Sequence, residues 1–131
     1  MKLFYTPGAC SLSPHIILRE LGLPFALEAV DLKTKKTETG ADFTAINPKG
    51  YVPALQLEDG EVLTEGAAIV QYLADKHAPG TLAPLAGTVE RARLNGHLNF
   101  ISAKPRTPCS KRLPNEGAAY GFTAAVQPTS R

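Results

Sequence analysis

The chain has 131 residues, 44% of them hydrophobic, with 14 Lys+Arg against 12 Asp+Glu and a formal net charge of +2. This length allows one domain with a real core, or a small domain plus part of another. No apolar run approaches the length of a membrane span, and no basic stretch followed by a long apolar one marks a secretory signal. Two cysteines, Cys10 and Cys109, make no disulfide framework, so a cytoplasmic, reducing setting is the expectation.

In chain order, Lys2 to Thr6 reads as a short apolar strand that turns through Pro7-Gly8-Ala9 into an amphipathic helix. Ser13 is the expected cap and Pro14 suits the first turn; Leu12, Ile16, Ile17 and Leu21 recur at helical spacing, with Leu18 filling in. Gly22 and Pro24 stop this helix, and Phe25 to Leu32 forms a second strand. Lys33 to Gly40 is polar and reads as a loop, Ala41 to Ile46 as a short helix, and Asn47-Pro48-Lys49-Gly50 as a breaker. A third strand over Tyr51–Leu57 meets a fourth over Glu61–Leu63 across Glu58-Asp59-Gly60, a hairpin signal. Thr64 is the expected cap of a helix from Glu65 to His77, with Ile69, Val70, Leu73 and Ala74 on its buried face. A Pro/Gly segment follows, then a last helix over 88–103 carrying Leu94, Leu98 and Ile101 on one face.

The order βαβαββα implies a compact mixed α/β sheet, its first two strands parallel through a right-handed crossover, with helices on both faces. Charge divides the chain: residues up to Ala103 carry nine Lys+Arg against eleven Asp+Glu, and residues 104–131 carry five against Glu116 alone. The basic, proline-rich end has only Tyr120 and Phe122 as aromatics, so disorder is expected there rather than a nucleic-acid or membrane-binding arm.

Four features bear on chemistry. Cys10 precedes a helix N-terminus, where unpaired N–H groups and the positive end of the macrodipole favour a thiolate; its Cys-Ser-Leu-Ser run is Cys-x-x-Ser, pointing to monothiol chemistry with an external thiol. The competing reading is a small buried hydrophobe. Pro53 heads a strand, which suits either an edge strand in trans or a cis turn that leaves Val52 free for an extended peptide. Thr64-Glu65-Gly66 opens a helix, an anion site beside a carboxylate, which suits an amino-acid head group carrying both charges or is an ordinary cap. Lys35 lies in a basic run that is a solvated face or the seat of a second ligand carboxylate. There is no phosphate loop, dinucleotide fingerprint or zinc spacing, and His15, His77 and His97 form no visible ligand set.

Taken together, Met1-Lys2-Leu3-Phe4-Tyr5, Pro7 to Leu12, Asn47 to Gly50, Val52 to Leu55, Leu63 to Gly66 and Ile69 to Asp75 resemble the bacterial beta-class glutathione transferases over residues 1 to about 103. The resemblance implies a thioredoxin-like glutathione-binding domain over 1–78, a linker over 79–87 and the first helix of an all-α domain over 88–103, with a non-family tail over 104–131. It implies a homodimer that uses glutathione as co-substrate with a small electrophile, and no other cofactor or metal. By position, Cys10 faces the glutathione sulfur, Val52 pairs with the tripeptide backbone before cis-Pro53, Glu65 and Gly66 hold the γ-glutamyl group, Lys35 the glycine carboxylate, and Asn99 approaches the sulfur. After Ala103 the sequence departs from the family, lacking an expected histidine, and a truncation or reading-frame change is the expectation. The function implied is conjugation or thiol–disulfide exchange through Cys10; the alternatives are a monothiol glutaredoxin-like redox protein and a non-catalytic glutathione-binding or interaction module.

Overall fold

The computed structural model describes residues 1–103. Its centre is β1 (Lys2–Tyr5), in which Leu3 and Phe4 point to opposite faces and are both buried. A strand buried on both faces belongs in the middle of a sheet, and the strand order is β3-β2-β1-β4-β5. β1 runs parallel to β2 (Ala26–Asp31), with Leu3 opposite Leu27, and antiparallel to β4 (Ala54–Gln56), with Leu3 opposite Leu55. β4 pairs with β5 (Val62–Thr64) through the expected hairpin. β3 (Lys36–Thr37) adds a two-residue edge to β2 where a loop was expected.

α1 (Leu12–Glu20) and α3 (Gly66–His77) cover one face, where Leu3, Leu18, Leu55, Ile69 and Leu73 form a fully buried cluster. The opposite face holds Phe4, Val30, Val52, Ala54 and Phe43 of α2 (Phe43–Ile46). The mixed α/β, thioredoxin-like arrangement read from the sequence is therefore the one observed.

Several local expectations change. Ser11, not Ser13, stands at the N-cap position of α1, and its hydroxyl accepts from Thr6 N–H and donates to Thr6 C=O (both 3.2 Å) rather than capping the helix. The buried residues of α1 are Pro14 and Leu18, while Leu12 and Ile16 are 60% and 49% exposed. At about 100° per residue, Pro14, Ile17, Leu18 and Leu21 share the face toward α3, and Leu12 and Ile16 lie on the other side. Thr64 ends β5 instead of capping α3; Glu65 takes the cap position, without a side-chain cap bond.

Two ionic groups tie elements together. Lys2 Nζ donates to Glu28 Oε2 at 2.7 Å and Thr39 Oγ1 to Glu28 Oε1 at 2.6 Å. These bonds, Lys2 first, hold the buried Glu28 carboxyl down at about 2. α4 (Val89–Ala103) is the second case: Arg91, its only buried side chain among the described residues, donates from Nη1 to Asp75 Oδ1 (2.7 Å) and Pro84 C=O (2.7 Å), from Nη2 to Asp75 Oδ2 (2.5 Å), and from Nε to Asn95 (3.3 Å). The Arg91 hydrogen bonds keep the Asp75 carboxyl below its ordinary value. Leu94 and Leu98 are half-buried and Ile101 is 70% exposed, so the expected stripe of α4 is only partly covered. The expectations for residues 104–131 and Cys109 lie outside the described residues.

Candidate active site

A cleft of about 530 Å³ opens where the β1–α1 turn, the 47–53 segment, the β5–α3 junction and the end of α4 meet. Three of the four chemical features of the sequence, Cys10, Val52-Pro53 and Thr64-Glu65-Gly66, contribute to it, although they are far apart in the chain.

Cys10 enters from a turn in which Ala9 N–H bonds Thr6 C=O (3.1 Å) and Leu12 N–H bonds Ala9 C=O (3.2 Å). The residue is exposed, and its thiol Sγ donates to Val52 C=O at 3.3 Å. The Val52–Pro53 bond is cis. Thr64, Glu65 and Gly66 line the rest of the same cleft. Glu65 has φ +71°, so the chain turns sharply from β5 into α3. The first-turn N–H groups of a helix have no carbonyl partner within it, and α3 starts at Gly66, which lines the cleft with Glu65.

The 47–50 turn, read in the sequence as a breaker and a family motif but not as part of the site, supplies a basic wall. Asn47 is buried; its amide donates to Tyr51 C=O (2.8 Å) and its Oδ1 accepts from Lys49 N–H (3.2 Å). Lys49, so placed, brings its ammonium 3.3 Å from Glu65 Oε1 and 3.5 Å from Thr64 Oγ1. Both charged side chains are exposed, so this pair contributes little to stability and matters as a local charge arrangement.

Cys10, Val52, Pro53, Glu65 and Gly66 thus line one cleft, whereas Lys35 and Asn99 do not. Lys35 stands one residue behind the wall: its Nζ donates to Gly50 C=O (2.8 Å) and sits 5.1 Å from the ring centroid of Tyr51, which does line the cleft. Asn99 is exposed on α4, and Ile101 and Ser102 of the same helix reach the cleft instead. Asn47, Lys49, Tyr51, Ile101 and Ser102 were not assigned to the site by sequence reading; Asn47 and Lys49 were noted only in the 47–50 motif and Ile101 only in the stripe of the last helix. No group of His, Cys, Asp or Glu that could hold a metal occurs among the described residues. No helix among them is long and apolar enough to cross a membrane.

Residues 8–76 match the family model for the glutathione S-transferase N-terminal domain. The chain is 52% identical over 104 residues to glutathione S-transferase GstA of Escherichia coli O157:H7, covering 79% of this chain and 52% of that protein. A second relative, glutathione S-transferase GST-4.5 of Xanthomonas campestris pv. campestris, is 45% identical over 128 residues, 97% of this chain and 57% of its own, a match that extends past residue 103. The solved bacterial beta-class glutathione S-transferase of Sphingomonas chungbukensis superposes with a TM-score of 0.76 at 55% identity, over 79% of this chain and 51% of that one. The chain spans about half the length of the curated relatives it matches.

Proposed function

The chain belongs to the glutathione S-transferase family, in its bacterial beta class, and from that premise we propose that the cleft binds glutathione and presents its sulfur to Cys10. The observation that carries this reading is the Cys10 thiol 3.3 Å from the Val52 carbonyl, at the cis-Pro53 turn, in the cleft that also holds Glu65 and Gly66. An extended tripeptide laid along Val52 exchanges backbone hydrogen bonds with it. Its γ-glutamyl ammonium then meets the Glu65 carboxylate, and its α-carboxylate meets the N–H groups at the start of α3. Lys35 serves the glycine carboxylate by turning away from Gly50, and Asn99 approaches the sulfur side.

Two reactions follow from that placement. In exchange, the Cys10 thiolate attacks one sulfur of oxidised glutathione; the S–S bond breaks, a Cys10–glutathione disulfide forms and one glutathione leaves as thiolate. In conjugation, the bound glutathione thiolate attacks a small electrophile and displaces its leaving group, with the far wall of the pocket excluding water. The same reading assigns residues 1–78 to glutathione binding, 79–87 to a linker and 88–103 to the start of a helical region. It also includes a cytoplasmic setting, a homodimer, and no other cofactor.

Incubation with oxidised glutathione followed by digestion and mass spectrometry tests the proposal. One glutathione on Cys10 is expected, and its loss on adding a dithiol reductant. Absence of that adduct, together with no heat on titration of reduced glutathione, would overturn it.

A further inference from the structure

α4 is attached at one end and used at the other. Its buried anchor is Arg91, whose five N–H donors are all engaged: two on Asp75, one on Pro84 C=O, one on Asn95 and one on Gln71 (3.5 Å). Thr88 strengthens the same corner, its hydroxyl donating to Leu85 C=O (2.8 Å) and accepting from Arg91 N–H (3.2 Å). Linker, α3 and α4 are therefore pinned at one guanidinium. From there α4 runs to Ile101 and Ser102, which form a wall of the cleft with Cys10. A helix rises about 1.5 Å per residue, so Ile101 is about 15 Å from the anchor, and a tilt of about 10° at Arg91 displaces it by about 2–3 Å.

We infer that the Arg91–Asp75 clamp is a positioning element of the cleft: it fixes the angle at which α4 leaves the linker, and so how closely Ile101 and Ser102 approach Cys10. The clamp decides the size of the reagent that reaches the thiol, and it does so without touching the ligand. This rests on the reading of the cleft as the seat of Cys10 chemistry. The geometry explains why an arginine stands there. A lysine ammonium is a point charge and does not span a carboxylate and a carbonyl in one plane.

The test uses the full 131-residue chain and its Arg91→Lys and Asp75→Asn variants. Each is alkylated with iodoacetamide and, separately, with the bulkier monobromobimane. The rate at Cys10 is followed by mass spectrometry after digestion, with free cysteine as the reference for intrinsic reactivity. The clamp predicts that the bulky-to-small rate ratio rises about tenfold in both variants, because a wall displaced by about 1 Å or more changes access that steeply. Glu28→Gln is the control: it weakens the fold at a site remote from α4 and is expected to leave the ratio unchanged. Asp75, with a side chain 45% exposed, is the milder change and decides the matter if Arg91→Lys does not fold. An unchanged ratio in folded Asp75→Asn, or an equal rise in Glu28→Gln, would overturn the clamp. Normal glutathione uptake with an unchanged ratio sinks this inference alone. A shifted ratio with no glutathione uptake sinks the glutathione reading and supports the clamp.

Discussion

Cys10 sits in a turn that its neighbours hold closed. The Thr6–Ser11 hydrogen bonds close the turn, and the thiol is left facing Val52 C=O. Cys10→Ser is expected to take up no glutathione from the oxidised form and to lose all exchange activity, measured by intact-mass spectrometry and a coupled reductase assay. Retained exchange activity would move the chemistry elsewhere. Glu65 is the residue expected to recognise an ammonium, and removing a charge-assisted hydrogen bond costs about 1.5–3 kcal/mol. Glu65→Ala is therefore expected to raise the dissociation constant for glutathione about ten- to hundredfold in calorimetric titration. Glu28 makes the clearest pH statement. Its carboxyl sits at about 2 in the fold against an ordinary 4.5, chiefly through the Lys2 and Thr39 hydrogen bonds. The stabilisation is fully present above pH 4.5 and is lost as the pH falls toward 2, in total on the order of 3 kcal/mol. Thermal melts between those limits are expected to show a flatter acid-side slope in Glu28→Gln than in the parent chain.

At the scale of elements, the junction of β5 and α3 decides the site. Gly66 opens α3, and a Cβ built there meets Pro53 Cγ at 3.6 Å, an ordinary van der Waals contact. The backbone at this position suits an L side chain, so Gly66→Ala reduces the freedom of the unfolded chain at no steric cost. It is expected to stabilise the ligand-free fold by about 0.4–1 kcal/mol in denaturant melts. Weaker binding in a stabilised protein would show that the ligand approaches Gly66 Cα more closely than the N–H contact alone requires. α1 contrasts with α3. α1 turns Pro14 and Leu18 inward and leaves Leu12 and Ile16 exposed near the Cys10 end, because the face that matters is the one opposite α3.

For the whole molecule, ligand and fold are linked by mass action. A ligand bound only by the folded state adds about 2.7 kcal/mol at one hundred times its dissociation constant. Reduced glutathione is therefore expected to raise the melting temperature in a concentration-dependent manner, and Glu65→Ala is expected to lose most of that rise. A concentration-independent melting temperature in the parent chain would count against the cleft as its binding site. The two faces of the sheet divide the work. The α1/α3 face carries the larger apolar cluster, and the Phe4–Phe43 face, with ring centroids 5.5 Å apart, seats Val52 at the edge of the cleft.

The sequence by itself determined the order of elements, the parallel β1–β2 unit, the Asp-Gly hairpin and the family, because hydrophobic periodicity, turn residues and motif spacing are local properties. It also named Cys10, Val52, Pro53, Glu65 and Gly66, from a thiol and a carboxylate at two helix starts, a proline heading a strand, and the resemblance of the surrounding motifs. Only the tertiary structure decided what required distance in space. The pairing of Lys49 with Glu65 and the Lys35 ammonium set behind Tyr51 on Gly50 C=O both join residues the chain keeps apart, and the Val52–Pro53 bond is cis, a choice the residues alone left open. The two-residue β3 was illegible because so short a strand has no period, and the inward face of α1 because periodicity fixes a stripe but not the neighbour that buries it. Arg91 was illegible for a related reason. A buried arginine and an exposed one look alike in a sequence, and only the placement of Asp75 and the Pro84 carbonyl makes this one an anchor.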